Sequence, residues 1–325
     1  MRVFVSIASY CDPLLGFTLA RAVATARWPE LLHFGIVDQS PAAAPAPVAG
    51  DVSPARLSYM RFEPVYARGP CWARAIAMSL YDGEDWFFQI DSHMDFDPHW
   101  DERLIAQSLR LLPGRKGFAV SAYPNPFVFE GERAVKRPTT DKVLFHVVKP
   151  GASFEPDHPV LGFEAHPLDS NQAVPGYHLG AGCLFAPGRF VQAFPYDPWF
   201  YFHGEEQALA ARLFTHGWDV FHMPAMPIYH LYNNADSGAP PRPLHWDESH
   251  DAQRAQTWWA LEQRSRNRLQ ALLAGEPLGV YGLGKERTLA DYAVFSGIDY
   301  GARTIEPRAH RTPASSVSAE PPQGD

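Results

Sequence analysis

Val3-Phe4-Val5-Ser6-Ile7-Ala8 is a short apolar run rich in β-branched residues that passes directly into the polar stretch Ser9-Tyr10-Cys11-Asp12-Pro13. The pattern predicts a buried strand ending in a loop. From Leu14 to Ala26 the apolar residues Leu15, Leu19 and Val23 recur at helical spacing, with Asp12 placed as the cap and Pro13 as the first helical residue. Leu32 to Val37 is a second apolar strand, stopped by Asp38. Strand, helix and strand at these lengths make a βαβ unit. It requires a parallel sheet whose polar residues emerge at the carboxyl ends of the strands.

Further along, Pro41 to Pro54 is almost entirely Ala, Pro and Gly and reads as a flexible or polyproline surface loop. Arg68-Gly69-Pro70 starts a helix with Trp72, Ile76 and Leu80 as its buried stripe. Trp86-Phe87-Phe88-Gln89-Ile90 is an apolar strand, Asp101 to Leu112 a helix and Gly117 to Ala122 a strand. Tyr123 to Tyr177 has no sustained period and many prolines, which predicts loops and short strands over the active face. Leu179 to Ala186 resumes as a strand around Gly180-Ala181-Gly182. Glu205 to Thr215 follows as a helix, Pro227 to Tyr232 as a strand and Asp251 to Leu273 as a long helix. Residues 1–303 are expected to form a single catalytic domain that includes a helical segment over 245–303. Residues 304–325, rich in Pro, Ser and Ala, are expected to be a disordered tail.

Composition removes several classes of protein. Proline, 31 of 325 residues, is close to twice its average share of about 5%, which fits irregular connections and excludes a coiled coil or a helical repeat. With 9 Trp, 21 Phe and 13 Tyr the chain has the material for a large core. The net charge of -8, with Arg264, Arg266 and Arg268 as the densest basic cluster, argues against a nucleic-acid groove. Cys11, Cys71 and Cys183 are widely spaced, so neither a disulfide framework nor a zinc ribbon is implied; the odd count fits a reducing compartment. No run has the length of a membrane span or a signal-peptide core, and the expectation is a cytoplasmic protein without a membrane span.

The strongest local signal for chemistry is Phe88-Gln89-Ile90-Asp91-Ser92-His93. An apolar strand delivers a carboxylate and an imidazole to the carboxyl edge of a parallel sheet, where open α/β folds bind ligands. That pair suits Mn²⁺ or a similar divalent ion which also grips phosphate oxygens. A strand end with an Asp turn residue and an incidental His is the competing reading. Asp95 and Asp97 read as structural. Glu205 and Glu206 open a helix, where the dipole favours the ionised form: one of them is either an acceptor or base at a sugar hydroxyl, or both are solvated first-turn acids. His230, amid Ile228-Tyr229-His230-Leu231-Tyr232, is a lone histidine among apolar residues, which is more often a satisfied core or surface residue than a ligand. Gly180-Ala181-Gly182 either admits a ligand to the backbone or relieves strand packing.

Taken in order, these pieces resemble one family. Ile7-Ala8-Ser9-Tyr10, Arg68-Gly69-Pro70 with Trp72-Ala73-Arg74, Asp91-Ser92-His93, Trp100-Asp101, Gly204-Glu205-Glu206, the run Arg212 to Asp219, His230-Leu231-Tyr232 and Tyr281-Gly282-Leu283-Gly284-Lys285 resemble the GlcNAc-transferase family. Arg287-Thr288-Leu289, Asp291-Tyr292 and Gly297-Ile298-Asp299 extend the likeness, so that it spans most of residues 3 to 300. The best-known members are cytoplasmic enzymes that attach N-acetylglucosamine to hydroxyproline of the Skp1 protein.

The resemblance implies a GT-A glycosyltransferase: an α/β fold with a Rossmann-like, mixed and mostly parallel sheet flanked by helices, a divalent metal (Mn²⁺ or Mg²⁺), and retaining transfer from UDP-GlcNAc to a hydroxyl of a protein or small molecule. Asp91 and His93 match the metal motif, and His230 the late histidine that completes the coordination. Glu205 and Glu206 match the acidic position facing the acceptor. Ser9, Arg68, Arg74, Asp91 and Lys285 match donor-side positions. Two other classes stay open on the residues alone: a metal-dependent phosphohydrolase, and a non-catalytic carbohydrate-binding protein that stacks sugars on its Trp and Tyr surface.

Overall fold

The computed structural model describes residues 1–313 apart from 138 and 234. Its centre is an eight-stranded sheet in the order Val174–Gly176, Asp219–His222, Phe118–Ser121, Cys183–Pro187, Trp86–Ile90, Val3–Tyr10, Leu32–Gln39, Arg56–Arg61. The last four of these run parallel, as the βαβ reading requires. Cys183–Pro187 is antiparallel to both its neighbours and makes the sheet mixed.

Alternation along the strands explains the three-layer build. Val3, Val5, Ile7 and Phe88 face one side, against Leu15 and Leu19 of the helix Leu15–Thr25 and Trp100 and Leu104 of the helix Trp100–Leu109. Phe4 and Phe87 face the other, against Cys71 and Met78 of Pro70–Met78, Leu209 and Leu213 of Glu205–Thr215, and Leu269 and Leu272 of Trp258–Leu273. A period of two on the strands and of 3.6 on the helices thus meets in two apolar layers. The excursion after Tyr123 contains Asn125–Glu130, Arg133–Lys136, Val143–Val148 and Phe163–Leu168, short strands as expected. Asn125–Glu130 joins a smaller sheet with Met94–Phe96 and Ile228–His230.

Four local expectations are corrected. Asp12 does not cap the first helix through a helical N–H. Its Oδ1 accepts from Leu14 N–H at 2.9 Å in a tight turn, and the helix begins only at Leu15. The long helix starts at Trp258, not Asp251: Glu248–Gln253 is a separate 3₁₀ turn, and the Asp251 carboxylate accepts the Trp258 N–H at 3.0 Å. Gly180 and Gly182 precede the strand, which starts at Cys183. Finally, the packed chain continues past 303. Thr304–Ile305 pairs with Ile298–Asp299, Ala309 is fully buried, and Tyr177 donates to Ala309 O at 2.7 Å. Of the expected tail, 314–325 lies outside the described residues.

Candidate active site and metal centre

Ala8, Ser9 and Tyr10, Gln39, Asp91, and Ala122 and Tyr123 stand at or just beyond the carboxyl ends of parallel strands, and all line one cavity of about 370 Å³. Ala181 and Gly182 reach the same edge from the start of the antiparallel strand. This is where the sheet exposes polar backbone and side chains together.

Three side chains converge on the floor. Asp91 follows the strand Trp86–Ile90 directly, with its N–H bonded to Gly182 O at 3.2 Å. Gly182 has no side chain because none fits: a Cβ there would lie 2.3 Å from Asp91 Oδ2. The turn Asp91-Ser92-His93 is fastened by Thr18, whose hydroxyl donates to Ser92 O at 2.8 Å and accepts Met94 N–H at 2.9 Å. His230 arrives by strand pairing, opposite Met94 in an antiparallel register, and Leu231 N–H donates to His93 O at 3.1 Å. As a result His93 Nε2 lies 3.0 Å from His230 Nε2, and His230 Nε2 lies 3.3 Å from Asp91 Oδ2.

These residues fit a divalent ion. Two ligands about 2.1 Å from an ion and at right angles to each other are about 3.0 Å apart, which is the spacing found here. Asp12 Oδ2 accepts the Nδ1 proton of His93 at 2.7 Å, leaving the Nε2 lone pair facing the other two ligands. Carboxylates behind ligating histidines commonly fix the tautomer in this way. His230 Nδ1 is buried and has no hydrogen-bond partner among the described residues. Burial raises the Asp91 carboxyl, but the His230 hydrogen bond and the charges of Arg74, His93 and His230 outweigh it and hold the group well below the usual carboxylate range. Burial also lowers the His230 pKa, against the pull of Asp91, which favours the neutral imidazole that metals bind. Among the described residues this is the one group of three or more such side chains spaced to hold an ion, whereas a phosphohydrolase would more naturally pair several histidines.

The two adjacent glutamates have separate surroundings. Glu205 is buried and takes Arg74 Nη1 on both oxygens at 2.8 and 2.9 Å, together with the Tyr196 hydroxyl at 2.7 Å and the Cys71 thiol at 3.0 Å. Arg74 Nη2 donates to Asp91 Oδ1 at 3.0 Å, so one guanidinium joins both carboxylates. Glu206 accepts Ala181 N–H at 2.7 Å and the Tyr123 hydroxyl at 2.8 Å, with His178 Nε2 at 3.5 Å. Its side chain keeps 30% of its surface exposed, inside the cavity. Burial raises the Glu206 carboxyl, yet the bonds from His178, Ala181 and Tyr123 bring it net below its ordinary value.

Of the expected donor-side residues, Ser9, Arg74 and Asp91 line the cavity. Arg68 and Lys285 do not. Arg68 is exposed, and its charge helps to lower the pKa of Arg264, after the larger effect of burial. Lys285 sits between Gly284 and Glu286, whose N–H groups bond Thr215 at 2.9 and 3.0 Å. That is the far end of the 11-residue helix Glu205–Thr215, roughly 16 Å from Glu205 at 1.5 Å per residue. Four residues of the cavity wall escaped the sequence reading. Asp12 looked like a helix cap, Tyr123 like the start of a loop, and Arg242 and Trp246 fall in a stretch without period. All four line the cavity. The pairing of Asp12 with His93 had no sequence signal beyond the types of the two residues.

Comparison with known proteins gives a consistent picture. A family model described as Glycosyltransferase (GlcNAc) matches residues 52–302, starting after the first two strands of the sheet. No curated protein matches the chain. Among solved structures, GalNAc-T7 with UDP, GalNAc and Mn²⁺ superimposes with a TM-score of 0.55 at 15% identity, covering 74% of this chain and 45% of that one. S. aureus TarS gives a TM-score of 0.41 at 11% identity, covering 69% of this chain and 36% of that one. The chain therefore spans less than half the length of either protein. The GalNAc-T7 likeness concerns the fold: a mixed α/β sheet flanked by helices, of the GT-A glycosyltransferase kind. No helix among the described residues is long and apolar enough to cross a membrane. The match over residues 52–302 covers most of the sequence, and the chain belongs to the GlcNAc glycosyltransferase family, a family of enzymes.

Proposed function

We propose that this glycosyltransferase moves a sugar, GlcNAc first among the candidates, from its UDP conjugate to a hydroxyl acceptor with retention at the anomeric carbon. The observation that carries the reading is the convergence of Asp91, His93 and His230 within about one ion's reach on the floor of the cavity. The GalNAc-T7 structure, of the same fold, contains UDP, GalNAc and Mn²⁺, which supports a nucleotide-sugar donor. Asp91, His93 and His230 would hold Mn²⁺ or Mg²⁺, and the bound ion would supply the positive charge that stabilises a departing diphosphate.

The chain's own residues do the rest. Arg242, in the cavity wall with its charge facing Asp12 and Asp91, donates to phosphate oxygens. Ser9, Tyr10 and Gln39 also line the cavity and would border the nucleoside. A carboxylate has about four acceptor sites, and Glu206 has two hydrogen bonds and one close histidine. It retains room to accept from the acceptor hydroxyl and orient it. A hydroxyproline-bearing protein is the acceptor that the family resemblance points to, and a cytoplasmic location belongs to the same reading. Residues 1–303 would act as one catalytic domain, with Thr304–Ile305 and Pro307–His310 packed onto it.

The test is UDP release from a panel of UDP-sugars, with Mn²⁺ or with a chelator, in the absence of acceptor. Slow, metal-dependent release that is fastest from UDP-GlcNAc is expected. Absence of release, together with no calorimetric binding of UDP-GlcNAc in the presence of Mn²⁺, overturns the reading.

A further inference from the structure

Glu205 lines the cavity, but its carboxylate already receives four hydrogen-bond contacts. Arg74 takes both of its oxygens, and Oε2 also receives Tyr196 and Cys71. The side chain is 5% exposed. With about four acceptor sites on a carboxylate, little of Glu205 is left for an acceptor hydroxyl, and its main effect passes through what it holds.

What it holds is the cation beside the metal ligands. On the cavity floor Asp91 and Glu205 each bring one negative charge, Arg74 brings one positive charge, and the two histidines are neutral when they ligate. Were Arg74 paired with Asp91 alone, its charge would offset that of the one carboxylate in the ligand set. With Glu205 gripping Arg74 at 2.8 and 2.9 Å, and Asp91 receiving a single bond at 3.0 Å, the guanidinium is already neutralised. The charge of Asp91 is left for the ion. The same grip fixes Nη2 on Oδ1, which turns Oδ2 toward His230 Nε2 at 3.3 Å. From this we infer that Glu205 is a positioning residue for the metal centre: through Arg74 it preserves the charge of Asp91 and presents one of its oxygens, while the acceptor-side work falls to Glu206 alone.

The inference rests on the reading of Asp91, His93 and His230 as a metal site, and the experiment separates the two. Mn²⁺ is titrated into the full chain without donor, by calorimetry and by the electron paramagnetic resonance signal of free Mn²⁺. Removing partners behind metal ligands typically costs 10- to 100-fold in affinity. Glu205→Gln is therefore expected to weaken Mn²⁺ binding by about 10-fold or more, and Glu206→Gln to stay within about twofold of the parent, a small fraction of that effect. Arg74→Lys keeps the charge and loses the fork that joins Glu205 through Nη1 to Asp91 through Nη2; it is expected to weaken binding severalfold and decides the matter should Glu205→Gln fail to fold. Folded Glu205→Gln with parental Mn²⁺ affinity, unchanged affinity in Arg74→Lys, or an equal loss in Glu206→Gln overturns the inference. A parent chain that binds no Mn²⁺ overturns the metal-site reading itself.

Discussion

Asp12 Oδ2 lies 2.7 Å from His93 Nδ1, a bond that joins the loop after the first strand to the turn after the fourth strand in the chain. It determines which nitrogen of His93 carries the proton. Ser92 donates to the same oxygen at 2.7 Å, so the acceptor is itself oriented. Asp12→Asn is expected to lower Mn²⁺ affinity about 10- to 100-fold while leaving the fold intact. Calorimetric titration of the folded variant checks this, and parental affinity contradicts it.

Gly182 concerns space at the same centre. An added Cβ would lie 2.3 Å from Asp91 Oδ2 and 3.0 Å from Asp91 Cγ, so the carboxylate has to move. Overpacking of this kind costs about 1–3 kcal/mol. For Gly182→Ala a lower urea midpoint is expected, together with a loss of metal-dependent UDP release of at least about tenfold, since one tenfold step corresponds to about 1.4 kcal/mol. Full activity with a shifted midpoint alone would contradict the placement of Asp91 against the glycine.

Cations at two places separate the cavity from its surroundings. Arg242→Ala is expected to weaken binding of UDP in the presence of Mn²⁺ by about tenfold, the scale of a charge-assisted bond. Lys285→Ala, altered at the far end of the helix that begins with Glu205, is expected to bind UDP as the parent does. Fluorescence or calorimetric titration with UDP decides between the two positions, and the reverse order of effects refutes the assignment.

Stability should fall in mild acid. Burial pushes the His222 imidazole down to about 4 and His245 down to about 3, against an ordinary value of 6.5. Both are neutral in the folded chain at pH 5 and protonated in the unfolded chain. The unfolded state then binds more protons, so the contribution is complete above pH 6.5 and is lost progressively as pH falls toward the folded values. Between pH 7 and pH 5 each group removes about 2 kcal/mol, from 1.36 kcal/mol per pH unit below 6.5. Urea unfolding at the two pH values tests this: a midpoint level or higher at pH 5 is the contrary result.

Much of the architecture was legible because it rests on periodicity. Val3 to Val37 announced the βαβ unit, and Trp86 to Ile90 the strand that delivers Asp91. Those signals are local, and burial of alternate residues enforces them. The site was legible only in part. Asp91 and His93 stood in a D-x-H pattern at a strand end, whereas His230, Arg68 and Lys285 were drawn in by their position in the family pattern; strand pairing brings His230 beside His93, and the helix Glu205–Thr215 holds Lys285 at its far end. Asp12 was read as a cap because Asp before Pro at a helix start usually is one. Its actual partner, His93, is 81 residues away, a pairing that no local pattern encodes. The boundary at 303 failed for the same reason: Ala309 is buried against a tyrosine 132 residues earlier.

The register of Ile228–His230 against Met94–Phe96 also dictates when the centre can come into being. His93 and His230 are separated by 137 residues of chain. At a synthesis rate of about 5–20 residues per second, a growing polypeptide displays Asp91 and His93 for roughly 7 to 27 seconds before His230 has been made. During that interval it is a two-ligand fragment with weak hold on any ion. On the proposed reading of Asp91, His93 and His230 as ion ligands, closure of the set is consequently a late event in the synthesis of the chain.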